Sequence, residues 1–350
     1  MYILENQTLK MRKIDIAFIK LGEWIRLHNG ELQTLVERAC QANPWFTQEN
    51  IYRSLDAIAA EYLSETNLVS WLKKYQLEQF LHPKKVALIL AGNIPLVGFH
   101  DLLCVLMAGH DAVVKLSDKD DVLLPSLVEQ MEAWFPAIKG RVIFTSRLTE
   151  FDIAIATGSN QSAAYFNKYF AKYPNIIRRN RNAVAVLSGE ESEEDILKLG
   201  EDIFTYFGLG CRSVSKLYLP RTFDFANFLK ILNSFRTLAD HSKYRNNYDY
   251  NFASAIINNR AYMSNDCLIL LEDQSISSRI AVLHYEHYSE INEVTKLLSA
   301  KHEQIQCIVS QIPALNLPKV SFGKAQRPTL SDYADGVDTM DFLVELNASK

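Results

Sequence analysis

From Lys85 to Leu187, short and continuously apolar runs alternate with longer segments of helical spacing, and no other feature limits the fold as much. Val86-Ala87-Leu88-Ile89-Leu90-Ala91 contains no polar residue, the pattern of a strand buried on both faces. Ala112-Val113-Val114-Lys115-Leu116, Arg141-Val142-Ile143-Phe144-Thr145, and the runs at 152–157 and 183–187 read as four more strands. Helices are predicted over 96–108, over 122–135 with Pro136 as the stop, and over 162–173. Such alternation builds a parallel α/β sheet with helices on both faces. Sheets of this kind bind ligands at the carboxyl ends of their strands. The turns Gly92-Asn93, Lys115-Leu116-Ser117 and Gly158-Ser159 all fall at such ends.

Flanking regions divide differently. Residues 10–80 read as helices, with Ile14, Ile19, Leu21, Trp24 and Ile25 near helical spacing. A helix over 47–62 carries Thr47 as its cap, and another over 68–80 closes the region. Beyond the first sheet, a helix over 193–207 runs into Phe207-Gly208-Leu209-Gly210-Cys211-Arg212, and a strand over 214–219 runs out. A helix over 225–235, an Asn- and Tyr-rich loop over 244–250, and strands at 267–271 and 279–285 follow. A helix over 290–300 and a strand at 306–309 complete a second α/β unit. The tail has a turn at Asp335-Gly336 and a last apolar run, Phe342-Leu343-Val344. The expected organisation is a helical region 1–84, a Rossmann-like domain 85–204, a catalytic α/β domain 205–320 and a tail 321–350.

Length and charge remove several function classes. The chain has 350 residues, enough for two domains, and a formal net charge of -4, which gives no electrostatic case for nucleic acid. No apolar run of about 18 residues is present, so no membrane span is expected. Met1-Tyr2-Ile3-Leu4-Glu5-Asn6 lacks the basic-then-apolar pattern of a secretory signal. Five cysteines, an odd count with no CxxC pair, argue against a disulfide framework and a structural metal site and for a cytoplasmic location. His284 and His287, flanking Tyr285-Glu286, read as packing and surface residues rather than metal ligands.

The candidate chemistry lies at Cys211. Glycines at 208 and 210 let the backbone take φ > 0 and let a substrate approach closely, so a thiol there can face a cleft. Taken locally, a small buried hydrophobe is the commoner role of such a cysteine. The first strand lacks the GxGxxG fingerprint, so a standard Rossmann phosphate cradle is not expected. Lys115 stands where a usual NAD binder carries an acid, and a cation there suits a ribose 2′-phosphate or 2′-hydroxyl as well as it suits solvent. Arg178, Arg179 and Arg181 read as a solvated basic surface, with a phosphate-binding cluster as the alternative.

Several motifs together resemble the aldehyde dehydrogenase superfamily, and most closely its acyl-CoA reductase branch, the fatty acid reductases of the luminous-bacteria (LuxC) type. Ala91-Gly92-Asn93-Ile94-Pro95 is similar to the family's strand-end Asn-x-Pro, and Val113-Val114-Lys115-Leu116-Ser117-Asp118 to its Val-x-Lys-Pro-Ser-Glu. Thr157-Gly158-Ser159 resembles its Thr-Gly-Ser turn, Gly208-Leu209-Gly210-Cys211 its nucleophile loop, and Ser321-Phe322-Gly323 its late Phe-Gly turn. The likeness runs in order from about Lys85 to the C-terminus, and the stretch 327–338 is the part most like the reductase branch.

The resemblance implies an aldehyde-dehydrogenase-like fold of two α/β domains with parallel sheets and a helical N-terminal region. It implies Cys211 as nucleophile and Asn93, with the backbone N–H of Cys211, as oxyanion donor. Lys115 and Ser117 would hold the adenosine ribose, and Gly158 and Ser159 would lie against the pyrophosphate. The implied activity is reduction of a long-chain acyl-CoA or acyl-protein thioester to an aldehyde, with NADPH, or NADH, as cofactor. An acyl-protein synthetase partner and a monomer or small homo-oligomer go with that reading. Hydrolytic members keep a glutamate 34 positions before the cysteine, where this chain has Ile177. The glutamate that holds the nicotinamide ribose would fall near Ser275-Ile276-Ser277-Ser278-Arg279, where there is no acid; Glu272 and Asp273 are nearest. No segment between Trp71 and Lys85 matches the family's projecting hairpin. A CoA-acylating or semialdehyde-type dehydrogenase and a non-catalytic scaffold of the same fold are the competing readings.

Overall fold

A computed structural model describes residues 11–75, 77 and 83–348. The N-terminal hexapeptide, and residues 76 and 78–80 of the helix expected over 68–80, lie outside the described residues. The chain forms two compact units, Met1–Arg179 with Thr329–Lys350, and Asn180–Pro328. The second is therefore an insertion in the first. The unit boundary falls at Arg179/Asn180, not at the 204/205 expected from the sequence, because the strand at 182–186 pairs inside the second sheet. The C-terminal stretch divides too, 321–328 belonging to unit 2 and 329–350 to unit 1.

In unit 1, α1 (Lys13–Arg26) buries Ile14, Ala17, Phe18, Leu21, Trp24 and Ile25, one stripe at helical spacing. α2 (Gly30–Ala42) and α3 (Gln48–Ala57) follow, and the Thr47 hydroxyl caps α3 by accepting from the Asn50 N–H at 3.2 Å. A π-helical turn, Ile58–Tyr62, leads to α4 (Glu65–Leu72). These helices share one apolar core with the sheet and its covering helices. The sheet comprises β1 (Lys85–Ile89), β2 (Asp111–Lys115), β3 (Val142–Phe144), β4 (Ile153–Thr157) and β5 (Asn175–Arg178). Its order is β3-β2-β1-β4-β5 and every pairing is parallel. Three helices complete the crossovers, α5 (Phe99–Met107), α6 (Leu123–Trp134) and α7 (Asn160–Tyr169). β5 is not legible in the sequence: its four residues, Asn-Ile-Ile-Arg, are too short and too polar to read as a strand.

Unit 2 contains a six-stranded sheet of order β11-β6-β7-β10-β9-β8. Its elements are β6 (Asn182–Val186), α8 (Glu193–Phe204), β7 (Val214–Pro220), α9 (Phe225–Leu232), α10 (Ser242–Ile257), β8 (Tyr262–Ser264), β9 (Ile269–Glu272), β10 (Val282–Tyr288), α11 (Ile291–Ala300) and β11 (Ile305–Val309). All pairings are parallel except β8 with β9. α10 overturns the loop expected at 244–250. Its Asn- and Tyr-rich sequence is a poor helix former, but Tyr244 and Tyr248, one turn apart, are both buried, and the Tyr244 hydroxyl donates to the Cys267 carbonyl at 2.7 Å. Tertiary burial outweighs weak propensity here.

The chain returns to unit 1 through residues 329–338 and α12 (Thr339–Ala348), a helix where the sequence showed only an apolar run. The Tyr333 hydroxyl accepts from Trp71 Nε1 at 2.8 Å, and the Tyr75 hydroxyl donates to Asp338 at 2.8 Å. Arg178, at the end of β5, is buried and paired with the Asp101 carboxylate of α5, and its Nη2 donates to the Thr339 hydroxyl at 2.8 Å. The basic surface expected at 178–181 is thus broken up. Arg178 is interior, Arg179 is exposed, and Arg181 donates to the carbonyls of His302 and Ile305. Asp101→Ala would leave the Arg178 charge buried without its carboxylate. We expect a loss of about 3 to 5 kcal/mol, read as a lower urea midpoint.

Candidate active site

In unit 1 the carboxyl ends of β2, β1 and β4 lie side by side, because those strands are neighbours in the sheet. That edge carries Lys115 and Ser117, then Gly92 and Asn93, then Gly158 and Ser159. Gly92 is needed for the first two turns to meet: a Cβ there would stand 2.8 Å from both Cβ and Oγ of Ser117 and 3.1 Å from the Asp120 nitrogen. Lys115 and Ser159 are exposed, while Ser117, Asn93 and Gly158 are half-buried. Ser159 caps α7, its hydroxyl accepting from the Ser162 N–H at 3.1 Å, so the helix starts at that edge. An exposed cation, a hydroxyl and a helix N-terminus on adjacent strand ends fit the ribose and phosphates of a dinucleotide.

The Asn93 turn is held by residues that sequence reasoning missed. Leu96 has φ +57°, and its N–H donates to the Asp120 carboxylate at 2.7 Å. The Ser54 hydroxyl donates to the Pro95 carbonyl at 2.8 Å. Asp120 is buried, its other oxygen has no hydrogen-bond partner, and burial pushes its pKa up to about 7. No spacing rule distinguishes Asp120 from its neighbours in Asp118-Lys119-Asp120-Asp121. Only the folded turn shows which carboxylate reaches the backbone.

Cys211 lies in unit 2, on the connection from α8 to β7. The helix expected to reach residue 207 stops at Phe204, and Tyr206, Phe207 and Gly208 follow with φ of +56°, +57° and +73°. Two consecutive non-glycine residues in the left-handed region cost about 1 to 3 kcal/mol each, and such strain concentrates at functional sites. Packing maintains it: Phe207 is buried, with its ring 4.5 Å from that of His241 and 5.8 Å from that of Tyr244. Beyond the turn, Arg212 Nε donates to the Ala325 carbonyl at 2.5 Å. This guanidinium therefore has a structural task beside Cys211.

The five cysteines are not equivalent. Cys104 and Cys267 are buried, and burial pushes both thiols up, Cys267 to about 12. Burial and Glu37 also raise Cys40, a helix residue. Cys307 is half-buried in β11. Cys211 is half-buried on the α8–β7 turn, whereas Cys267, on the β8–β9 hairpin turn, is buried.

Two positions that distinguish reaction types can be placed. Ile177 is in β5 and packs against the cluster of Ala87, Ala154, Ala156 and Phe170, so no carboxylate occupies that position. The stretch 275–279 lies between β9 and β10, and the Ser215 hydroxyl of β7 donates to the Ile276 carbonyl at 2.7 Å. Asp273 accepts from the Ser275 N–H at 2.9 Å and pairs with Arg260 at 2.8 Å, which hold its pKa down to about 2. Among the described residues no group of His, Cys, Asp or Glu is placed to hold a metal ion. His284 is buried in β10 with Nδ1 3.0 Å from the Ser275 carbonyl, and half-buried His287 meets the Pro220 carbonyl at 3.2 Å.

No family model matches the chain, and no curated protein matches it. Solved structures do match. Aldehyde dehydrogenase 21 from Physcomitrella patens, in complex with the reaction product succinate, is 12% identical over 95% of this chain and 83% of its own, with a TM-score of 0.66. Betaine aldehyde dehydrogenase from Staphylococcus aureus, in complex with NAD+, is 15% identical over 90% and 72%, at 0.63. A cysteine-to-alanine mutant of aldehyde dehydrogenase C from Pseudomonas syringae, with NAD+ and octanal, is 13% identical over 87% and 78%, at 0.60. The chain has the aldehyde dehydrogenase fold, as its motifs implied.

Two outcomes test the Asn93 turn. Gly92→Val should push the Ser117 and Asp120 turns apart and lower the melting temperature, with Ser117→Gly restoring part of the loss. Asp120 retains a proton in the folded chain between its ordinary 3.8 and about 7, where the unfolded chain has lost it. Its contribution to stability therefore falls as pH rises through that window. Urea midpoints of wild type relative to Asp120→Asn should decline from about pH 4 to about pH 7 and level off above.

Proposed function

We propose that the protein reduces a fatty acyl-CoA to the aldehyde with NADPH, through a thioester on Cys211. The observation that carries the reading is the half-buried Cys211 on a strained turn in an aldehyde dehydrogenase fold. Ile177 supports reduction over hydrolysis, since an alkyl side chain cannot activate water against the acyl-enzyme.

Sγ of Cys211 attacks the thioester carbonyl, and the carbon–sulfur bond to CoA breaks as CoA leaves with the thiol proton. Exchange of one thioester for another is nearly isoenergetic, which suits cysteine to the step. Asn93, through its side-chain amide, and the backbone N–H of Cys211 are the proposed oxyanion donors, each worth roughly 3 to 4 kcal/mol in the barrier. Lys115 and Ser117 are proposed to hold the adenosine ribose, and Gly158 and Ser159 to lie against the pyrophosphate. When bound there, the nicotinamide supplies the hydride that the acyl carbon takes up. Cys211 then departs as thiolate and the aldehyde is released.

Incubation with radiolabelled long-chain acyl-CoA should leave label on Cys211. Cys211→Ala should abolish it and lower aldehyde formation about a thousandfold or more. A wild-type protein that stays unlabelled would favour a scaffold, and turnover only from aldehyde to acyl-CoA would favour the CoA-acylating dehydrogenase. Lys115→Ala should raise KM for NADPH about tenfold or more while changing that for NADH little, as expected for a lost charge-assisted phosphate contact.

A further inference from the structure

One buried carboxylate in unit 2 plays no part in the chemistry above. Asp202, in the last turn of α8, is fully buried. Its two oxygens accept backbone N–H groups from another segment, Oδ2 from Gly323 at 2.7 Å and Oδ1 from Ala325 at 2.9 Å. The same segment then reaches the nucleophile turn at two points. The Ala325 carbonyl accepts from Arg212 Nε at 2.5 Å, and Gln326 Nε2 donates to the Ser213 hydroxyl at 3.1 Å and to the Asp202 carbonyl at 3.4 Å. The two residues that follow Cys211 are therefore both tied to 325–326, and 323–325 are tied to Asp202.

This circuit spans a short connection whose backbone is otherwise unfavourable. α8 ends at Phe204, three left-handed residues follow, and β7 begins at Val214. Within 209–213 the Leu209 N–H donates to the Tyr206 carbonyl, the Ser213 N–H donates to the Gly210 carbonyl, and the Ser213 carbonyl accepts from the Ala183 N–H at 3.3 Å. The first two are local to the turn, the third docks its far end on β6, and the ties through Arg212 and Ser213 dock it on the 323–326 turn. Gly323 has φ +76°, so its N–H reaches Asp202 through a conformation that a side chain would disfavour.

We propose that Asp202 is a positioning residue for Cys211, fixing the direction of its Sγ and N–H through the 323–326 turn, Arg212 and Ser213. The proposal rests on the reading of Cys211 as nucleophile. Asp202 touches no reacting atom. A carboxylate suits the task because both oxygens accept, whereas an amide would turn a donor against one of the two N–H groups.

The test compares wild type, Asp202→Asn, Arg212→Lys and Gln326→Ala. Three readouts are taken on each folded protein: melting temperature, kcat and KM for acyl-CoA, and the rate of Cys211 alkylation by iodoacetamide, followed on the Cys211 peptide. Asp202→Asn should lower kcat about tenfold or more with KM changed less than about twofold, and should change the Cys211 alkylation rate about threefold or more. Arg212→Lys and Gln326→Ala, which leave the buried carboxylate paired, should move kcat and alkylation in the same direction by smaller factors. Variants that lose thermal stability yet keep wild-type kcat and wild-type Cys211 alkylation would overturn the proposal. Should Asp202→Asn not fold, the other two variants decide by the same criterion. If wild type is never acylated by acyl-CoA, the reductase reading fails, while the alkylation rates still report whether Asp202 positions the thiol.

Discussion

Arg178 is the interaction on which unit 1 depends. The chain leaves the unit directly after it, at Arg179, and comes back only at Thr329. A single guanidinium at that exit binds Asp101 on α5 and Thr339 on α12, so the last strand, a covering helix and the returning helix meet on one buried cation. Burying a charge is costly unless it is paired, and desolvation opposes the pair even here. The role of such a pair is to make one docking of the returning segment much better than any other. Trp71, Tyr75, Tyr333 and Asp338 add a second set of directional contacts for the same segment.

The same device recurs wherever a turn with a task must be held. Asp120 takes the N–H of Leu96, and Asp202 takes those of Gly323 and Ala325. In each case a buried carboxylate on one segment accepts at least one backbone N–H from a residue of another segment with left-handed φ, Leu96 or Gly323. Burial raises both carboxyls to about 7, the expected result when desolvation exceeds what one backbone donor at Asp120 and two at Asp202 return. The turns that bear Asn93 and Cys211 are thus fastened by side chains well separated from them in sequence or outside any motif.

The proposed reaction turns on what is missing as much as on what is present. An alkyl side chain at Ile177 cannot act as a base, and Asp273, held by the Ser275 N–H and Arg260, has little capacity left for a ribose. The family resemblance picks out the two positions, and the consequences drawn at them are local. Both follow from the chemistry that those side chains can and cannot perform.

The long apolar strands, the parallel α/β class and the order of the motif-bearing turns were determined by the sequence, because a strand covered on both faces must be apolar throughout and helical spacing is a local property. The candidates Cys211, Asn93, Lys115, Ser117, Gly158 and Ser159 come from motifs at strand and helix ends, and their roles are those the family resemblance implies. The tertiary structure alone decided the insertion of unit 2 between Arg179 and Thr329, the strand β5, the helix α10 and the burial of Arg178. Those depend on pairing between residues far apart in the chain. A short polar strand or a tyrosine-rich helix is marginal by itself and forms because long-range neighbours bury it.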